Sequence, residues 1–134
     1  MTTKVLLIDD DEDDFLITRD LLEEIPNRRY SLDWVSVYDE AFDLISERKH
    51  DIYLVDYRIG SYDGLQLISE ALSRGYKAPF ILLTGQGSME TDEKAMKVGA
   101  VDFLVKGAFI PSELEHSIRY SIVHHRNIEE IQTL

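Results

Sequence analysis

Ile52-Tyr53-Leu54-Val55-Asp56 is a short apolar run that ends on a carboxylate, with Lys49-His50-Asp51 before it and Tyr57-Arg58 after it. A strand buried on both faces of a parallel sheet reads this way, as continuous apolar residues between polar flanks. In an open α/β sheet, ligands bind beyond the carboxyl ends of the strands. Asp56 therefore falls where chemistry would be done. Three other apolar runs end in polar groups that could serve it: Val5-Leu6-Leu7-Ile8 in Asp9-Asp10, Phe80-Ile81-Leu82-Leu83 in Thr84, and Phe103-Leu104-Val105 in Lys106.

Working outward, Lys4 to Ile8 reads as the first strand, followed by six acidic residues, Asp9 to Asp14. A helical pattern then places Phe15, Leu16, Leu21, Leu22 and Ile25 on one side and closes at Pro26. The later acidic residues suit that helix's N-terminus, where the macrodipole favours negative charge. A second strand spans about Ser31 to Val37, with Leu32, Val35 and, less clearly, Trp34 alternating with polar residues. Asp39 is the expected N-cap of a helix whose core face is Ala41, Phe42, Leu44 and Ile45.

After the central strand, Gly60 to Gly64 makes a turn, with Asp63 available as an N-cap. Leu65, Ile68 and Leu72 follow at helical spacing, and Arg74-Gly75 ends that helix. Pro79 introduces the fourth strand, Phe80 to Thr84. Gly85-Gln86-Gly87-Ser88 reads as a mobile loop, with Ser88 capping a helix that runs to Val98 and stops at Gly99. Ala100 to Val105 is the fifth strand. The last helix starts at Pro111-Ser112-Glu113 and continues to the end, with a core face of Leu114, Ile118 and Ile122. Its second half keeps Ile128, Ile131 and Leu134 among polar residues, so it either projects to pair with another helix or frays.

β-α repeated five times with short connections implies a single doubly wound parallel sheet, (βα)5, with helices on both faces. A length of 134 residues suits one such domain. Residues 1–123 are expected to form it, and 124–134 to be an extension of the last helix, a connector or dimerisation segment. A net charge of −12 argues against nucleic-acid binding, which needs basic patches, and against adsorption to anionic lipid. No cysteine is present, which excludes a disulfide framework and thiolate metal sites. The opening Met-Thr-Thr-Lys leads into an apolar run too short for a signal-peptide core or a membrane span. A soluble cytoplasmic protein is expected.

Asp9, Asp10 and Asp56 crowd one edge if the first and third strands are neighbours. Two unit charges ~4 Å apart at an effective dielectric near 20 repel by roughly 4 kcal/mol. Such a cluster binds a proton, a lysine or a hard cation. Mg²⁺ suits it, because that ion takes oxygen ligands and keeps exchangeable waters. A carboxylate can act as a nucleophile and form an aspartyl-phosphate. Phosphoryl transfer then needs positioning and neutralisation of the equatorial oxygens, for which Lys106 and Thr84 are of the right types.

With Asp9-Asp10, Leu54-Val55-Asp56, Asp63-Gly64, Leu82-Leu83-Thr84-Gly85 and Gly99 to Lys106 in place, the sequence resembles the receiver domain of two-component response regulators, over roughly Lys4 to Ile122. The resemblance implies a flavodoxin-like fold with strand order 2-1-3-4-5. It implies that Asp56 is the phosphoacceptor for a sensor histidine kinase or a histidine phosphotransfer protein. Mg²⁺, with Mn²⁺ able to substitute, would be held by Asp10, Asp56 and the backbone carbonyl of Arg58, with Asp9 assisting through water. Thr84 and Lys106 would bind the phosphoryl oxygens, and Thr84 and Phe103 would form the switch that reports to the face of the fourth helix, fifth strand and last helix. That face or the last helix is the expected homodimer contact, and an output domain or downstream protein, unspecified by the sequence, the expected target. Such a domain turns over its own phosphate and is not a turnover enzyme.

Three departures from the family pattern stand out. Gly107 replaces the usual proline after the lysine, Gly60 stands where proline is common, and Phe103 lacks the hydroxyl of the commoner tyrosine. Arg58 and Gln86 lie where members differ in phosphate lifetime. Two other readings compete: a Mg²⁺-dependent phosphatase with an aspartate nucleophile, for which the chain is short of a cap domain, and an unphosphorylated interaction module. The histidines, His50, His116, His124 and His125, are expected on the surface.

Overall fold

The computed structural model describes residues 1–85 and 89–133. Ser88 and Gln86, expected as a helix cap and a rate-modulating position, lie outside the described residues. Numbering the strands of the main sheet in chain order, the elements are β1 (Thr2–Ile8), α1 (Glu12–Glu23), β2 (Arg29–Val35), α2 (Tyr38–Ser46), β3 (Ile52–Asp56), α3 (Gly64–Ser73), β4 (Phe80–Thr84), α4 (Met89–Val98), β5 (Asp102–Val105) and α5 (Pro111–Thr133). All four pairings in this sheet are parallel and the order is β2-β1-β3-β4-β5. The expected flavodoxin-like topology is present. Arg58–Ile59 and Tyr62–Asp63 add a small antiparallel hairpin after β3, with Gly60 at its turn in the left-handed region, φ +63°.

Because helices cover both faces, the central strands carry unbroken apolar runs, at residues 5–8, 52–55 and 80–83. Leu6, Ile8, Tyr53, Val55, Phe80 and Leu82 face α2, α3 and α4. Val5, Leu7, Ile52, Leu54, Ile81 and Leu83 face α1 and α5. Burying a side chain of this size contributes about 1.5 to 3 kcal/mol, so the sheet is anchored mainly by these two layers.

Several local expectations shift. β2 ends at Val35, because its pairing with β1 runs from Thr2↔Arg29 to Ile8↔Val35 and the partner strand stops there. Asp39 is not the cap of α2. Val37 holds that position without a side-chain bond, and Asp39 sits in the first turn, where its charge still complements the dipole. In α3 the buried face is Gly64, Leu67, Ile68 and Ala71, with Leu65 and Leu72 only partly covered. Asp63 does cap α3, through a reciprocal capping box with Gln66.

His50 is not a surface histidine. Its imidazole is 4% exposed and its Nε2 lies 2.7 Å from Asp33 Oδ2. α5 continues as helix through Thr133, and Ser117 and Ser121 join Leu114 and Ile118 in its buried stripe.

Candidate functional site

Strand register gathers the polar strand ends. Ile8 pairs with Val55, which sets Asp9 level with Asp56, and Asp56 pairs with Leu83, one residue before Thr84. Thr84 pairs with Val105, one residue before Lys106. The Lys106 backbone N–H donates to the Thr84 carbonyl at 2.7 Å, closing that edge.

Asp9 is fully buried and Asp56 is 6% exposed. Lys106 Nζ lies 2.7 Å from Asp56 Oδ1 and 3.2 Å from Asp9 Oδ2, and it also bonds Asp14 Oδ2. Carboxylate oxygens of Asp9, Asp14 and Asp56 all lie within 4.8 Å of one another. Three carboxylates against one ammonium leave an excess of negative charge at close range. A hard divalent cation fits that oxygen-only donor set.

The groups respond to this crowding. Burial is the largest influence on Asp9 and raises its pKa from 3.8 to about 7; the neighbouring charges of Asp56 and Asp14 add to the rise, while a hydrogen bond from Asp11 N–H and the charge of Lys106 oppose it. Burial likewise raises Asp56, against the opposing bond and charge of Lys106. For Lys106, burial works against the charged form. The bonds to Asp14 and Asp56 and the charge of Asp9 more than offset it, and its pKa lies above the usual lysine value.

Asp10 is exposed. Its Oδ2 accepts from the Gly60 N–H at 2.8 Å, tying the end of β1 to the hairpin after β3. Asp14 joins Asp9 and Asp56 in the carboxylate cluster. It arrives there because Asp11 caps α1, accepting from Asp13 N–H at 2.9 Å, which turns the first helical turn over the sheet edge. Arg58, whose carbonyl was expected to face a cation, is exposed and pairs with Asp63 in the hairpin.

Thr84 is buried, and among the described residues its Oγ1 has no hydrogen-bond partner. A cavity of about 490 Å³ opens beside it, lined by Asp56, Thr84, Gly85, Thr91 and Lys106 among others. Phe103 is half-buried and lines a shallow hollow with Met96 on the outer side of α4. Gly107 holds φ +76°, which favours glycine immediately after Lys106.

Three contributors escaped the sequence reading. Asp14 looked like one more acidic residue at a helix start. Gly64 packs so close to β3 that a Cβ there would stand 2.3 Å from the Asp56 carbonyl oxygen. The Trp34 indole N–H donates to the Asp9 carbonyl at 2.7 Å while its ring stacks on Phe15. The Asp63-Gly64 pair was visible as a motif, but its steric reason was not.

Asp9, Asp14 and Asp56, with Lys106 and the buried Thr84 hydroxyl, thus gather at one edge of a five-stranded parallel sheet. Residues 5–119 match the response regulator receiver domain family, and the chain belongs to it: it is a receiver domain of two-component response regulators. The response regulator protein PilR of Pseudomonas aeruginosa is 36% identical over 105 residues, covering 77% of this chain and 22% of the relative. The two-component response regulator PhoP of the same organism is 30% identical over 95 residues, covering 71% of this chain and 42% of the relative. The chain thus spans less than half the length of either. The signal receiver domain of a putative Luxo repressor protein from Vibrio parahaemolyticus superposes with a TM-score of 0.82 at 18% identity, covering 98% of each chain, a likeness of fold.

Proposed function

We propose that Asp56 is the phosphoacceptor, receiving a phosphoryl group from a histidine on a sensor kinase or phosphotransfer protein. The observation that carries this reading is the setting of Asp56. It lies at the end of β3 beside an open cavity, 2.7 Å from the Lys106 ammonium and next to a buried Thr84 hydroxyl with no partner among the described residues. In the transfer, an Asp56 carboxylate oxygen forms the new P–O bond as the P–N bond to the donor imidazole breaks, and that nitrogen regains a proton from solvent. Lys106 is placed to neutralise one phosphoryl oxygen and Thr84 to donate to another.

Asp9 and Asp56 would hold Mg²⁺ or Mn²⁺, with Asp14 at the same cluster and Asp10 and the Arg58 carbonyl at its margin. Such an ion supplies charge neutralisation for the phosphoryl oxygens. The chain's own residues orient the acceptor and keep it buried. Engagement of the new phosphoryl group by Thr84 and Lys106 biases the end of β4. Moving a two-state equilibrium from 1:99 to 99:1 takes ~5.5 kcal/mol, within reach of a few charge-assisted hydrogen bonds at about 1.5 to 3 kcal/mol each. We assign the output to Phe103 and the face of α4, β5 and α5, reading residues 1–123 as the receiver and 124–134 as its extension.

In this role the chain is a phosphoacceptor for its kinase and a signal to a downstream domain or protein, and it would act in the cytoplasm. Among the described residues no helix is long and apolar enough to cross a membrane. Incubation with Mg²⁺ and a small acyl phosphate or phosphoramidate should add one phosphoryl group, seen by intact mass. Asp56→Asn should abolish it. Thr84→Val should still be labelled but should lose the conformational response; labelling that survives Asp56→Asn would overturn the assignment.

A further inference from the structure

A second cavity, about 280 Å³, lies at the edge of the sheet opposite Asp56. Its walls come from the end of α2, the start of β3, the segment before β4 and the distal part of α5. Tyr53, Tyr76 and Ile122 give it an apolar interior, while Arg48, Lys77 and Arg126 bring three cations from three separate elements.

The charges around it are unevenly matched. Both acids that line it are already engaged: Asp51 Oδ2 accepts from the Lys4 backbone N–H at 2.8 Å, and Glu129 Oε1 pairs with His125 Nε2 at 2.8 Å. Arg48, Lys77 and Arg126 form no ion pair among the described residues. With Asp51 and Glu129 counted, the lining carries three cations against two carboxylates, a net positive hollow in a chain of net charge −12.

Two further features point to an occupant. The His50 imidazole lines the cavity and is 4% exposed; one nitrogen meets Asp33, and the other, Nδ1, is buried with no partner among the described residues. A buried nitrogen left in this way is a ready hydrogen-bonding site. Arg48 sits at φ +56°, a left-handed position just past α2 where glycine is usual. A cation at the end of α2 would complement the helix dipole from an ordinary conformation too. That account does not extend to Lys77, which lies in a loop, or to Arg126, which lies well inside α5.

We propose that this cavity binds a small organic acid, with its carboxylate among Arg48, Lys77 and Arg126 and its apolar body against Tyr53, Tyr76 and Ile122. The volume suits a ligand at the small end of the range for such pockets. Because His125, Arg126 and Glu129 belong to the stretch after residue 123, occupancy would also fasten the distal helix to the domain. The site is independent of the assignment of Asp56.

The test uses the whole chain and sodium benzoate as the probe, followed by ¹⁵N-imidazole NMR of the histidines. Saturable shifts at His50 and His125 are expected, together with slowed amide exchange in 124–133. Neutral benzamide should produce neither. The double variant Lys77→Gln with Arg126→Gln should weaken benzoate binding about fivefold or more, while its urea unfolding transition stays cooperative, which shows that the variant is folded. Absence of a saturable shift, equal binding of benzamide, or undiminished affinity in the double variant would each overturn the proposal. Inorganic phosphate binding as tightly as benzoate would overturn the organic-acid assignment.

Discussion

The indole of Trp34 donates its hydrogen bond to the backbone carbonyl of Asp9, at 2.7 Å. An edge strand is thereby tied to the carboxylate cluster by the only tryptophan in the chain. Any rearrangement of Asp9 is felt by one fluorophore. Titration with Mg²⁺ should change Trp34 emission saturably, and Asp9→Asn combined with Asp56→Asn should remove the change. A flat titration of the parent chain would mean that Asp9 does not move when the ion binds.

Asp14 and Asp10 separate by substitution. Asp14 bonds Lys106 inside the cluster, whereas Asp10 accepts from Gly60 at the hairpin. Removing a partner that supports a metal site typically costs ~10- to 100-fold in affinity. Asp14→Asn should weaken Mg²⁺ binding by an amount in that range, measured calorimetrically. Asp10→Asn should in addition speed amide exchange at Gly60, because its loss frees the hairpin.

Gly64 admits no side chain. A Cβ would meet the Asp56 carbonyl oxygen at 2.3 Å and Leu82 Cδ1 at 2.9 Å. Gly64→Ala should therefore destabilise the domain by about 1 to 3 kcal/mol, the usual cost of overpacking, and should slow labelling of Asp56 by displacing the end of β3. Urea denaturation with parallel labelling would check both. Gly85→Ala, where a Cβ meets nothing within 4 Å among the described residues, should cost little stability by comparison.

Stability should depend on pH in a direction unusual for a carboxylate. Asp9 holds its proton up to about 7 in the folded chain, against 3.8 ordinarily. Between those values the folded state keeps a proton that the unfolded state has released, so stability falls as pH rises across that window. Asp56 is shifted the same way. Lys106 is raised above its ordinary value and stays charged in both states across this range, so it adds no slope. In EDTA, the urea midpoint should drop between about pH 4 and 7, and Asp9→Asn should flatten the drop. Mg²⁺ competes with that proton, so its affinity should climb over the same interval.

The sheet was legible in sequence because each inner strand is a continuous apolar run closed by one polar residue, as in Leu54-Val55-Asp56. Asp9, Asp56, Thr84 and Lys106 were legible for the same reason, each being the first polar residue at a strand end. The cap of α2 was not, because Val37 serves through its backbone alone. Asp14 was hidden by good company: helix starts favour acids wherever they occur. His50 was hidden because its burial depends on the distal part of α5 and on Asp33, elements remote in sequence.

A parallel sheet clothed on both sides has little to tell it where each strand should stop sliding. In β1, β3 and β4 both faces carry large apolar side chains, so a one-residue misalignment would trade one oily layer for another. What it could not tolerate is dragging Asp9 or Asp56 inward, away from Lys106. The charged termini thus act as stop marks during assembly. Neutralising all of them at once should yield a chain that collapses readily yet settles among several alignments.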